Sequence, residues 1–176
     1  LPQAGIIGAR LEDPDGAPQA SAFRFPSLGG EIEAGLGMAV ASRALARWRM
    51  PLPISEASGW AAWTPGACML IRRAVFETIG LFDTGYFMYY EDVDFCLRAR
   101  RAGWRCWHAP DSRVVHLVGR SRQSEEGHVA HRLPPAWFVS RRRYFLKHHG
   151  PAYTALCDAT RLVSEAVGRT KRALRP

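Results

Sequence analysis

The stretch from Glu91 to Gly103 constrains the fold of this chain more than any other. Val93, Cys96, Leu97 and Arg100 recur at i, i+3, i+4 and i+7. That is one apolar stripe of a helix, completed by the aliphatic stem of an arginine. Glu91, Asp92 and Asp94 crowd its N-terminal end and Arg98, Arg100 and Arg101 its C-terminal end. Both ends suit the helix macrodipole. Gly103 is the expected stop. Residues 104–108 then read as a strand, 109–111 as a turn and 113–117 as another strand. A striped helix needs a layer to cover it, so this order already suggests a layered α/β unit.

The rest of the chain is read around that segment. Residues 4–11 form an apolar strand, and Asp13-Pro14-Asp15-Gly16 is a strong turn. Residues 19–25 alternate weakly and are expected to return as the second strand of a hairpin. Residues 27–50 are a soft, partly helical segment, because Gly29, Gly30, Gly35 and Gly37 each weaken a helix by up to about 1 kcal/mol. It reads either as an interfacial helix or as a mobile surface excursion. Residues 51–65 read as loop, 67–71 as a buried strand and 72–79 as two helical turns stopped by Gly80. An aromatic loop covers 81–90. Residues 119–134 are polar and loop-like. Helical, basic segments follow at 135–149 and 152–174, broken at Gly150-Pro151.

The chain has 176 residues, enough for one ordinary domain. No run of about 20 apolar residues is present. No initiator methionine and no basic-then-apolar leader opens the chain, which reads as part of a longer one. With 24 Lys and Arg against 16 Asp and Glu the net charge is +8. That favours anionic partners. No helix-turn-helix, zinc-finger or RNP pattern accompanies the charge, so nucleic acid is not an expected partner. Cys68, Cys96, Cys106 and Cys157 show no metal-finger spacing and read as small core residues in a reducing compartment.

Chemistry concentrates where the aromatic loop becomes the helix. Glu91 and Asp92 are adjacent, so their side chains point about 100° apart and do not converge on one bond. Two readings follow. In one, a carboxylate faces a pocket while the other fixes the loop. In the other, both acids serve only as N-cap and dipole partners. A helix N-terminus lowers a carboxylate's basicity; aromatic neighbours that exclude water raise it. Trp60, Trp63, Phe87, Tyr89 and Tyr90 are candidates either for stacking on sugar rings or for the core. His116 alternates within an apolar strand and is either structural or a site residue.

In order, the chain carries Gly66-Ala67-Cys68-Met69-Leu70-Ile71-Arg72-Arg73, Gly80-Leu81-Phe82-Asp83, Tyr90-Glu91-Asp92-Val93-Asp94-Phe95-Cys96-Leu97-Arg98, Ala102-Gly103-Trp104 and His116. This series resembles the C-terminal half of the inverting family 2 glycosyltransferases of GT-A fold, in particular their rhamnosyltransferase-like subgroup. The likeness extends to the opening strand with its Pro-Asp-Gly turn and to Ser140-Arg141-Arg142-Arg143-Tyr144. It implies an α/β, partial GT-A-type layered fold with a mixed sheet, flanking helices and a basic C-terminal helical segment. Residues 1–150 are then the acceptor-side half of the domain, and 151–176 a basic amphipathic helix.

The resemblance also implies roles. Asp92 is the general base and Glu91 orients the acceptor or holds the loop. Asp94 is a helix-start or supporting residue. Gly66 and Ala67 let the backbone approach bound sugar or acceptor. Trp63, Tyr89 and Tyr90 line the substrate, and Arg120, with Arg122, neutralises diphosphate. His116 helps hold a divalent metal, Mg²⁺ or Mn²⁺. The main metal ligands are expected in an N-terminal Asp-x-Asp region that this stretch lacks: Asp13-Pro14-Asp15 lies in a turn and Asp92-Val93-Asp94 on the helix. The implied partners are a nucleoside-diphosphate sugar and a glycan or polyprenyl-linked acceptor in envelope polysaccharide assembly; the basic helical segments add the anionic inner face of the plasma membrane as an expected partner, and the unpaired edge of strand 67–71 a second copy of the chain. The competing reading is a non-catalytic remnant that binds saccharide or a partner without turnover.

Overall fold

The computed structural model describes residues 1–117 and 133–173. In chain order the elements are β1 (Ala4–Glu12), α1 (Leu28–Leu36), α2 (Ala39–Ala44), β2 (Gly59–Ala61), β3 (Met69–Ile71), α3 (Arg73–Ile79), α4 (Glu91–Arg101), β4 (Arg105–Val115) and α5 (Pro135–Ala173). They fall into two compact units: Leu1–Phe23 with Pro51–Arg143, and Arg24–Met50 with the chain from Tyr144 on.

The first unit is built on a four-stranded sheet in the order β2-β4-β1-β3. β1 and β4 run parallel, while β3 and β2 join them antiparallel on the outer edges. The expected α/β class, with a mixed sheet and flanking helices, is the one observed. β1 is buried along most of its length, and its two glycines explain how. A Cβ on Gly5 would lie 2.7 Å from Val75 of α3, and one on Gly8 would fall on the Thr64 side chain. The missing side chains admit a helix against one face of the strand and the 61–64 segment against the other. Ile6, Val75, Phe95 and Cys96 are fully buried in this core.

Helix α4 spans the segment the periodicity marked. It ends at Ala102, followed by Gly103 in the left-handed region at φ 92°. Only the three residues Ala102, Gly103 and Trp104 separate it from β4, so the helix runs back along that strand. The N-terminus of α4 therefore points towards the carboxyl ends of the parallel strands, where ligands of α/β sheets bind.

Three expectations are corrected here. In place of two strands joined by a turn there is one strand with a bulge, β4 (Arg105–Val115). Ala109 pairs with Ala9 and Arg113 with Arg10, so Pro110, Asp111 and Ser112 bulge out while the ladder resumes beyond them. Residues 19–25 make no regular return strand, only isolated bridges from Phe23 to Pro51 and to Trp63. The Ser21 hydroxyl accepts the Leu11 N–H at 2.8 Å, taking a donor that a ladder would need. Residues 51–65, read as loop, contain the short strand β2. Residues 119–132 of the expected polar loop lie outside the described residues.

In the second unit the glycines that weakened the helical reading of 27–50 are packing residues. A Cβ on Gly35 would fall on Ser164, and one on Gly168 would lie 2.4 Å from the Leu36 carbonyl oxygen. Helix α1 is thus seated against α5 at near-backbone distance. The Ser27 hydroxyl caps α1, and Arg161 reaches the buried Glu31 at 3.5 Å. Helix α5 breaks where expected: Gly150 adopts φ 81°, ψ 174° and Pro151 follows without an N–H.

Candidate active site

Three segments of the first unit meet at the start of α4. Asp92 lies in the first helical turn. Its Oδ1 accepts the Val93 N–H at 2.8 Å, and its Oδ2 accepts the Gly66 N–H at 3.1 Å. None of the three acids occupies the cap position. That place belongs to Tyr90, which makes no side-chain cap bond. The structure therefore brings together two of the expected site residues, Gly66 and Asp92, from segments 26 residues apart.

Gly66 is exposed, and a Cβ there would meet only Asp92, at 3.7 Å or more. Nothing in the protein itself requires a glycine at this position, yet its small size leaves the carboxylate uncovered. Ala67 is likewise exposed. Burial pushes the Asp92 carboxyl up to about 6, with the neighbouring Glu91 charge adding to the rise and the Gly66 N–H opposing it. A carboxylate in that range is poised to take a proton near neutral pH. Glu91 presents a buried Oε2 that has no hydrogen bond among the described residues.

The loop before α4 is held from several sides. Tyr89 and Tyr90 sit in succession in the left-handed region, at φ 68° and 65°. Two such non-glycine residues in a row are strained and persist only where their surroundings fix them. Tyr90 is buried with its ring edge-on to Trp137, 5.7 Å between centroids. The Ser140 hydroxyl donates to the Met88 carbonyl at 2.7 Å, and Arg143 grips both oxygens of Asp83 at 3.0 Å. Phe82 stacks on Phe95 with centroids 4.4 Å apart. Beneath the loop, fully buried Asp94 binds Arg98 at 2.8 Å and accepts the Tyr86 hydroxyl at 3.3 Å. Arg98 in turn donates to the carbonyls of Ile79 and Leu81. Asp94 is thus a scaffold residue rather than one facing a pocket.

The aromatic candidates divide. Trp63 is buried and stacked on Phe23 at 4.2 Å, so it belongs to the core. Tyr90 is likewise a packing residue, while Tyr89 is half-buried beside Asp92's turn and Phe87 stands 89% exposed at the loop tip. Trp60 packs on Trp107 beneath the Arg105 guanidinium.

His116 follows the end of β4 and makes no hydrogen bond to Glu91, Asp92 or Gly66. Its Nδ1 lies 3.1 Å from Gln19 Oε1, and its Nε2 carries no bond to a described residue. Among the described residues no three His, Cys, Asp or Glu side chains are grouped to hold a metal ion. What His116 offers is a single imidazole nitrogen, Nε2, a donor type that divalent cations accept. Arg120 and Arg122 lie outside the described residues. In the sequence Gln19 shows only the weak alternation of a strand and nothing marks it as the partner of His116. Ser140 and Arg143 stand out as motif residues, but not as the groups that hold Met88 and Asp83. The Arg-to-Asp83 pairing has no short-range signature, since 60 residues separate the partners.

The site can be set beside known proteins. A family described as glycosyltransferase like family 2 matches residues 16–143. The N-acetylglucosaminyl-diphospho-decaprenol L-rhamnosyltransferase of Mycobacterium tuberculosis is 32% identical over 158 residues, 89% of this chain and 47% of the relative. The rhamnosyltransferase WbbL of Escherichia coli K12 is 40% identical over 62 residues, 35% of this chain and 24% of that protein. A low-salt glycan biosynthesis hexosyltransferase of Haloferax volcanii, Agl10, is 56% identical over 36 residues, 20% of this chain and 12% of its own. The chain spans about half the length of the mycobacterial relative. No solved structure matches the chain significantly.

Proposed function

The chain belongs to the family 2-like glycosyltransferases, and from that footing we propose that it supplies the acceptor-side half of an inverting sugar transfer. The donor is a nucleoside-diphosphate sugar and the acceptor a hydroxyl of a polyprenyl-linked saccharide or growing envelope glycan, the class named for its mycobacterial relative. Residues 1–150 form this half of the domain and 151–176 a basic helix at the inner face of the plasma membrane.

The observation that carries the reading is the Asp92 carboxylate. It is held by Gly66 at a helix start, left uncovered by that glycine, and raised to about 6. In the reaction the acceptor oxygen attacks the anomeric carbon from the side opposite the diphosphate. The new C–O bond forms as the bond to the leaving phosphate oxygen breaks, and the hydroxyl proton passes to Asp92. Glu91 orients the acceptor or holds the loop, its buried Oε2 having no hydrogen bond among the described residues. The backbone at Gly66-Ala67 and the ring of Tyr89 line the approach. A divalent cation, with His116 as one ligand and Arg120 nearby in sequence, would neutralise charge on the leaving diphosphate.

The test is Asp92→Asn in the full-length protein. Loss of a general base costs about 10²–10⁴ in turnover, with donor affinity unchanged. Near wild-type turnover in a folded variant overturns the assignment. Saccharide binding without turnover in the wild type would instead mark a binding remnant.

A further inference from the structure

The carboxamide of Gln19 is fully committed on one side of His116. Its Nε2 donates to Asp13 Oδ1 at 2.7 Å and to the His116 carbonyl oxygen at 2.9 Å. Its Oε1 lies 3.1 Å from His116 Nδ1. An amide nitrogen has two hydrogens, and both are spent. Turning the amide over would set Oε1 against a carboxylate and a carbonyl, two acceptors, so the orientation is fixed by its surroundings. The atom facing Nδ1 is therefore an acceptor only, and the ring must present Nδ1–H to it. In a neutral imidazole the lone pair then lies on Nε2.

The backbone reinforces this. The His116 N–H donates to the Glu12 carbonyl at 2.9 Å, so both main-chain polar groups of the histidine and one ring nitrogen are tied to the 12–19 segment. The Asp13–Gly16 turn brings Asp13 and Gln19 alongside each other, with Asp13 N–H bonded to Ala17 and Gly16 N–H to Asp13. Gln19 is diverted from strand pairing into this clamp.

We infer that Gln19 is a positioning residue that fixes the tautomer and direction of His116, leaving Nε2 as the basic nitrogen offered to a cation–diphosphate group. This rests on the reading of His116 given above and deepens it. Groups that hydrogen-bond the far nitrogen of a metal-binding histidine typically contribute about 10–100-fold to metal affinity.

The experiment uses nitrogen-15 spectra of the histidine rings in the full-length protein, above the imidazole titration range, with His116 assigned through a His116→Gln variant. The probe for binding is Mn²⁺ with inorganic diphosphate. Wild-type His116 is expected to carry its proton on Nδ1. Gln19→Met is expected to lose that preference and to bind the probe about 10–100-fold more weakly. A wild-type ring protonated on Nε2 overturns the inference without any variant having to fold, and leaves the chemistry of Asp92 untouched. An unchanged tautomer in folded Gln19→Met also overturns it. If the tautomer is lost in Gln19→Met while that variant and His116→Gln both bind the probe as wild type does, the hold of Gln19 on the ring stands. The cation role of His116 is then what fails.

Discussion

Asp92 and Asp94 lie two residues apart on one helix and behave as opposites. Asp92 is raised by burial to about 6, so its ionised form is the less favoured one in the folded state. The folded protein then holds this proton more tightly than the unfolded chain. The contribution is fully present below the ordinary value of 3.8 and is lost as pH rises through about 6. At pH 7 the charge is therefore a burden on stability. Asp92→Asn is expected to raise stability there by about 1–2 kcal/mol, allowing for solvent on its open side. Asp94→Asn is expected to do the reverse, lowering stability by about 3 kcal/mol, because it breaks a buried ion pair and strands Arg98. Thermal melts of the two variants at pH 7 check both signs. With Asp92 as the proposed general base, the same value of about 6 sets the expected rate profile of the full-length protein. Turnover should climb with pH through that region and level off above pH 7 at about tenfold the value at pH 5. A carboxylate at its ordinary value would give a flat profile over that span.

At the scale of elements, what was legible in the sequence was whatever declares itself locally. Helix α4 carried its stripe, its charged ends and its glycine; the Gly150-Pro151 break carried its own chemistry; strand β3 was a short apolar run, but it lies at a sheet edge with Leu70 69% exposed, not buried as its apolar run led one to expect. What was not legible depends on distant partners. The bulge at 110–112 exists because β1 offers a straight ladder beside it, and Pro110 looks the same in a turn. Gly35 reads as a helix breaker until Ser164 is found against it, and Gly168 gives no sign of the Leu36 carbonyl it meets. Gln19 gave no sign of its clamp because His116 lies 97 residues away. The glycines yield a prediction whose sign separates propensity from packing. Alanine favours a helix over glycine by about 1 kcal/mol. At Gly168, however, the added methyl meets a backbone oxygen that cannot swing aside. Gly168→Ala should therefore lower the melting temperature, at a net cost of about 1–2 kcal/mol, and denaturant titration measures it.

Across the whole molecule the net charge of +8 is the property a partner meets first. No described helix is long and apolar enough to cross a membrane. Helix α5 nonetheless exposes Leu156, Leu162, Val163 and Val167, with Lys147, Arg169 and Lys171 also outward. Arg141 is buried and Arg143 is engaged with Asp83, so neither is offered to lipid. The remaining basic residues are expected to contribute about 1 kcal/mol each near anionic headgroups. The protein should co-sediment with vesicles containing phosphatidylglycerol and release as salt reaches about 0.5 M, where screening is short-ranged. Equal binding to purely zwitterionic vesicles would remove the electrostatic account.

The second unit is discontinuous in sequence, and this sets an order of events during synthesis. Glu31 and Ser164, which meet in it, are 133 residues apart. At about 5–20 residues per second, α1 waits on the order of 10 s after leaving the ribosome before its docking partner is made. The first unit is complete once Arg143 has emerged, so it can close while 24–50 is still an unanchored insertion. A chaperone that samples nascent chains would meet the side of α1 that carries Glu31 and Gly35 bare for all of that interval.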